Sequence, residues 1–192
     1  MQLEFKQQLA QRLAGIDQIW ERLRREKSIR VGAISPMNAK NQIQDDGFFL
    51  PDPWTNTPAG GSYLMRRMSG AISQAVNENA TGKLSIDSAL WLLLGTIANA
   101  HLRNYPEYLR LATRAVRRPW CRAIVLDLLL ADTFGSQLKR YRPGFASLFL
   151  NAAAHIQHHY LFSSPYYRGP HKNPPWYLPK GEDPVLDVYR IY

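Results

Sequence analysis

The stretch IRVGAIS, residues 29–35, decides the fold class of this 192-residue chain. It is short, rich in β-branched residues and bounded by polar ones, which predicts a strand. An amphipathic helix precedes it, ending in a basic turn. The apolar residues of this helix recur at spacings of three and four: Leu9, Leu13, Ile16, Trp20 and Leu23. A helix that leads directly into a short strand is half of a parallel-sheet unit, so the sequence predicts an α/β fold.

A second strand is predicted at GFASLFLN, residues 144–151. Nearly every position is apolar, as expected for a strand that is covered on both faces. Its polar end, Asn151, falls where open α/β sheets place ligands. Helices predicted from Ser85, Pro106 and Pro119 lie between the two strands. We therefore expect a single domain over residues 1–192, with a large helical insertion over residues 71–142.

A proline-rich segment follows the first strand. Within it, GFFLPDPWTNTPAGG (residues 47–61) cannot be regular helix, because its three prolines remove backbone donors and fix φ. Its aromatic residues argue against disorder, since such side chains need burial. Two interpretations stay open. The segment is a packed connector, or it is a loop at the sheet edge in which Asn38 and Asp52 contact a substrate.

Composition narrows the class of protein. The single cysteine, Cys121, excludes a disulfide framework and any cysteine-rich zinc site, and it fits a reducing compartment. The longest apolar stretch, SALWLLLGTIANAHL (residues 88–102), is too short for a membrane span and predicts a buried helix. We therefore expect a cytoplasmic protein with no membrane partner.

The net charge of +9 comes largely from arginine. Such a surface attracts nucleic acid, acidic lipid or a phosphorylated substrate through its long-range field. A scattered pattern of basic residues is also typical of solvated helix faces. Because the chain lacks an aromatic-basic RNA motif and a lysine-rich tail, we do not expect nucleic acid as the partner.

Three histidines follow the second strand in NAAAHIQHHY, residues 151–160. On a helix, His155 and His159 are four residues apart, so their rings share a face and could clamp one divalent metal. Asn151 lies four residues before His155 and could direct a side-chain oxygen at the same point. Surface or core histidines give the same spacing, so the pattern alone leaves a metal site open.

An apolar strand that ends in a polar ligand, followed by three small residues and a histidine, resembles the Asp-x-x-x-His element of the alkaline phosphatase superfamily. It is most similar to the type I phosphodiesterase and nucleotide pyrophosphatase branch. Two other stretches are similar to that branch in the same order. They are IRVGAIS with its proline-rich continuation, and DPVLDVYRIY (residues 183–192). The resemblance implies a partial alkaline-phosphatase-like parallel sheet and a hydrolase that acts on a phosphate or sulfate ester with two metals, usually zinc.

In this resemblance Asn151 takes the place of the family's metal-binding aspartate, and His155 takes that of its histidine. A neutral amide stabilises a divalent cation less than a carboxylate does. His158 and His159 lie outside the family's pattern and are predicted to line the substrate pocket. No segment matches the family's nucleophile or its downstream ligands. The chain is therefore predicted to be an internal fragment with an incomplete divalent-metal site, inactive alone.

Two alternatives from other classes remain. The chain could be a non-enzymatic module whose basic helices bind an acidic partner or nucleic acid. It could also be a catalytically inactive homologue that keeps the pocket as a ligand sensor, for which Asn151 is the main support.

Overall fold

Three short parallel strands organise the structure, a computed structural model that describes residues 17–41, 43, 46–78 and 84–192. Strand β1 is Val31–Ile34, β2 is Phe48–Leu50 and β3 is Phe145–Leu148. The order across the sheet is β2-β1-β3, and Gly32 pairs with Phe48 on one side and with Ala146 on the other. The predicted α/β class and the strands predicted at residues 29–35 and 144–151 are confirmed.

Helices surround this sheet. In the described part of the chain they are α1 Ile19–Lys27, α2 Tyr63–Asn77, α3 Ile86–Asn99, α4 Tyr105–Ala115, α5 Cys121–Tyr141, α6 Ala152–Tyr160 and α7 Pro184–Tyr189. The residues before position 17 in the predicted N-terminal stripe lie outside the described residues, whereas Trp20 and Leu23 lie on α1.

Side-chain caps set several helix starts. The Ser85 hydroxyl accepts a hydrogen bond from the Ser88 N–H at 3.1 Å, as the sequence predicts for α3. Asp183 likewise caps α7, which has Pro184 at its first position. The helical segment between β2 and β3 begins at α2, where Ser62 accepts from the Met65 N–H. Residue 71, the predicted start of the insertion, therefore lies inside α2.

Strand β1 is the centre of the core. Val31, Ala33 and Ile34 are fully buried. On one face of the sheet, Ile34 joins a cluster with Phe48 and residues of α2 and α5. On the other face, Val31 and Ala33 pack with Trp20 of α1. The sheet therefore has helices on both faces, as parallel sheets require.

One prediction of burial holds in part and one is wrong. Strand β3 packs on both faces as expected, through Phe145 on one and Ala146 and Leu148 on the other, but its residues are only half-buried, because β1 takes the central place and leaves β3 at the edge. Residues 88–102 were expected to form a buried helix. Instead α3 packs through Ser88, Leu92 and Gly95 and exposes its other leucines, with Gly95 directly against the Met68 side chain of α2.

The short strand β2 was not predicted, since it lies inside the proline-rich segment.

Among the described residues, no helix combines the length and the apolar character that a membrane span needs.

Replacing Gly32 by Ala tests the packing of the central strand. An added Cβ would lie 2.2 Å from two atoms of the Phe48 ring, which is held by Phe134 and Tyr141. We expect the free energy of unfolding, measured by denaturant titration, to fall by about 1–3 kcal/mol.

The matched control is Gly70→Ala on α2, where an added Cβ meets nothing within 4 Å. This variant should be more stable than the wild type by about 0.5–1 kcal/mol, because alanine favours the helix. Equal stability of the Gly32→Ala variant and the wild type would contradict the close contact.

Candidate functional site

The predicted site residues from three separate segments lie at one edge of the sheet. Because the strands are parallel, the segments that follow them emerge on the same side. Asn38 follows β1, Asp52 follows β2 and Asn151 follows β3. Backbone hydrogen bonds hold the three exits together. The Ser35 N–H donates to the Leu50 carbonyl at 2.7 Å, and the Phe149 N–H donates to the Ile34 carbonyl at 3.0 Å.

Asp52 ties the exits of β1 and β2 to each other. Its carboxylate, 3% exposed, accepts from the Asn38 N–H at 2.8 Å and from the Trp54 N–H at 2.9 Å, and the Thr55 hydroxyl also donates to it. Asn38 has a positive φ of 54°, a conformation that asparagine tolerates. These contacts fit the packed connector. Substrate contact by Asn38, whose side chain is exposed, and by Asp52 stays a prediction.

A second buried carboxylate, Asp127 on α5, fixes the start of α6. It accepts from the Ala152 N–H at 2.7 Å and from the Asn151 N–H at 3.3 Å, and the Tyr192 hydroxyl donates to it as well. Burial raises the pKa of Asp127, while these hydrogen bonds act in the opposite direction. A carboxylate at this position also complements the positive end of the helix. Asp127 thus sets the direction of the turn that carries Asn151 and His155.

The three histidines lie on one side of α6, because His158 and His159 follow His155 by three and four residues. The rings of His155 and His159 are 4.8 Å apart between centroids, at an angle of 63°. His155 is half-buried, whereas His158 and His159 are exposed. Burial, followed by the neighbouring charges of His159 and His158, lowers the pKa of His155. A lowered pKa keeps the imidazole neutral near pH 7, which is the form that binds a metal.

These residues fit a divalent metal only as part of a ligand set. Zinc takes four ligands in structural sites and three protein ligands in catalytic ones. Among the described residues, no group of three or more His, Cys, Asp and Glu side chains could hold a metal ion. The donors that the structure places one turn apart are Asn151, His155 and His159. Metal binding by Asn151 and His155 therefore stays a prediction.

Asp127 was not predicted to be a functional residue, although the sequence contains a signal of its buried role. It is the first acidic residue in the apolar run AIVLDLLLAD, residues 123–132 of α5. A carboxylate on the buried face of a helix needs hydrogen-bond partners. Its partners at residues 151, 152 and 192 are distant in sequence, so only the fold reveals them.

A second candidate site is a cleft of about 550 Å³ between the end of α4 and the segment before α7. Its lining residues are Thr113, Arg114, Arg117, Arg118, Trp120, Pro179 and Glu182. Arg114 pairs with Asp187 at 3.0 Å, and Arg118 pairs with Glu182. Arg117 is exposed and forms no ion pair with the described residues. The cleft therefore presents one uncompensated cation beside two that are held in place.

Comparison with known proteins gave no relatives: no family model, curated protein or solved structure matches the chain.

Replacing Asp127 by Asn tests how α6 is anchored. The two backbone N–H groups donate to different carboxylate oxygens, and the NH2 that replaces one of them cannot accept, so we expect the free energy of unfolding to fall by about 1–3 kcal/mol. Faster hydrogen exchange at the start of α6 should accompany this loss. The pKa of Asp127 is higher in the folded chain than in the unfolded chain. Its contribution to stability therefore decreases as pH rises above about 4. The Asp127→Asn variant should lack this decrease in stability with rising pH.

Asp132→Asn is the control on the same helix, since Asp132 bonds Asn104 and Tyr108 rather than α6. It should leave the exchange of α6 unchanged. Unaltered exchange of α6 in the Asp127→Asn variant would show that the carboxylate does not anchor the helix.

Proposed function

We propose that this chain is part of a metal-dependent phosphoester hydrolase of the alkaline phosphatase type, with Asn151 and His155 in its metal site. The observation that supports this best is the shared edge of the sheet. Asn151 leaves β3 beside the exits of β1 and β2, and His155 follows one helical turn later. Asp127 holds that turn in place. The substrate class is a small phosphate or sulfate ester.

Each residue of the proposed site would have a separate role in ester hydrolysis. A bound divalent metal, zinc by preference, would polarise the ester and stabilise the charge that develops on its oxygens. His155 would supply a neutral imidazole nitrogen, and Asn151 an amide oxygen. The exposed rings of His158 and His159 would face the ester oxygens, where they can donate hydrogen bonds. Asn38 and Asp52 would border the same edge from β1 and β2.

The neutral side chain at residue 151 predicts weak metal affinity. A carboxylate at that position would add an attraction that an amide lacks. Hydrolysis also needs a nucleophile and further ligands, which the proposal places outside this chain. We therefore expect the chain alone to bind zinc weakly and to hydrolyse no ester.

Titration calorimetry with zinc tests the proposed ligands. Asn151→Asp should raise the affinity by about tenfold or more, because one added charge contact of about 1.4 kcal/mol has that effect. His155→Ala should abolish binding at this site. Because the pKa of His155 is lowered, binding should persist to lower pH than for an ordinary histidine, since protons compete less.

His171→Ala is the matched control, because His171 is exposed in a loop and packs on Phe162 rather than on α6. It should bind zinc as the wild type does. If Asn151→Asp leaves the affinity unchanged while His155→Ala removes binding, the metal is held by His155 and His159 alone and the family proposal fails. Chelator-sensitive hydrolysis of bis(4-nitrophenyl) phosphate by this chain would show that it carries its own nucleophile.

The arginine-lined cleft supports a second candidate, a non-enzymatic module that binds an acidic protein partner. Two of its arginines are positioned by carboxylates, and Arg117 is left to meet an outside anion. The cleft, of about 550 Å³, is within the size range of small-ligand pockets, so it has room for an acidic side chain of a peptide. Nucleic acid remains the less expected partner.

Binding of a poly-glutamate peptide tests this candidate. Arg117→Gln should weaken binding about two- to fivefold, since an exposed ion pair contributes up to about 1 kcal/mol. Binding should also weaken as salt rises, because exposed charges are screened. The control is Arg168→Gln, an exposed arginine in the loop after α6. Equal loss in both variants would indicate attraction to net charge rather than to the cleft, and tighter binding of a DNA duplex would favour nucleic acid.

A further inference from the structure

Helix α3 exposes most of its large apolar residues, whereas an ordinary amphipathic helix buries them. Ser88 and Gly95 are buried and Leu92 packs against the core, whereas its other large aliphatic residues are exposed. Ile86 is 88% exposed, Leu93 56% and Ile97 57%. The exposed aliphatic residues recur at spacings of three and four along the helix: Ile86, Leu90, Leu93, Leu94 and Ile97. They form one continuous stripe.

This orientation is fixed by the contact between α3 and α2. A Cβ on Gly95 would lie 2.6 Å from the Met68 Sδ, so a larger residue there would have to displace the Met68 side chain of α2. At the start of α3, Arg67 of α2 pairs with Asp87 at 3.0 Å. The Trp91 ring packs edge-on against Tyr63 at 5.7 Å. These contacts keep the residues of the stripe outside.

The stripe continues onto α4. The Tyr105 hydroxyl donates to the Ile97 carbonyl at 3.3 Å, and Leu109 follows Tyr105 by one turn. Leu102, in the connection, is 82% exposed. We call the α3 stripe together with Leu102, Tyr105 and Leu109 the α3–α4 apolar face. Its side chains expose on the order of 800 Å², above the roughly 300–600 Å² of the largest patch on a typical monomer.

We infer that the α3–α4 apolar face pairs two copies of this chain in a two-fold symmetric dimer. This exposed area is of the same order as the roughly 800 Å² that each partner contributes to an interface of standard size. A stripe with helical spacing is self-complementary, because two antiparallel copies of α3 can interdigitate the same residues.

Charge favours a second copy over an anionic partner. Residues 88–102 contain no Lys, Arg, Asp or Glu, although the chain carries a net charge of +9. An acidic protein or anionic lipid would be drawn to the arginines elsewhere on the surface. Two antiparallel copies of α3 would bring these uncharged residues together. This inference is independent of the proposed hydrolase function.

Sedimentation velocity and light scattering of the full chain over a range of concentrations test the dimer. The wild type should show twice the mass of the 22.0 kDa chain, and high salt should not separate the copies. Leu93→Glu should raise the dimer dissociation constant at least about a hundredfold, since it places two carboxylates face to face in an apolar contact. Its circular dichroism should be unchanged, because Leu93 is exposed in the single chain.

Trp176→Glu is the matched control, since Trp176 is 81% exposed on the loop before α7. It should leave the dimer intact. A wild-type monomer at high concentration would overturn the inference, as would a dimer that persists in both Leu93→Glu and Ile97→Lys. Dissociation by salt would indicate a charged interface instead. Binding of a monomer to neutral phosphatidylcholine vesicles, lost in Leu93→Glu, would show that the face meets lipid.

Discussion

The close packing of β1 is the constraint on which the rest of the structure depends. Its residues have a strand on each side and helices on each face, so only small or β-branched side chains fit. Gly32 lets the Phe48 ring lie directly against the strand, and this ring in turn positions β2. These contacts also fix the positions of the segments that follow the three strands at the carboxyl edge of the sheet. The geometry of Asn38, Asp52 and Asn151 is therefore a consequence of a four-residue strand.

Two buried carboxylates then shape that edge. Asp52 accepts backbone donors from its own loop and from the exit of β1, and Asp127 accepts those at the start of α6. Both acids act on the backbone of the edge, which places other side chains. The side chains at and after the end of β3 that could bind a ligand are the Asn151 amide and the imidazoles of α6. The two carboxylates also link the rigidity of the edge to burial, because hydrogen bonds to a desolvated carboxylate are stronger than those in water.

Local signals in the sequence predicted much of the fold. Ser85 and the β-branched stretch at 29–35 each act through neighbours within four residues, and the structure confirms both. Strand β2 was missed because three residues carry no periodicity. The orientation of α3 was missed because the pattern shows an apolar helix but cannot show that Gly95 faces Met68. The grouping of Asn38, Asp52 and Asn151 needed the order of the strands, which is a tertiary property.

The place of β3 at the edge has a consequence for how the chain is made. Among the described residues β3 pairs only with β1, so one side of its backbone offers hydrogen-bonding groups to another strand. The segment FASLFL, residues 145–150, has no charge and no proline, which is the composition of segments that assemble into cross-β stacks. During synthesis it leaves the ribosome after α5 and before α6. Early docking of β3 on β1 would shorten the time in which misassembly between nascent chains can begin.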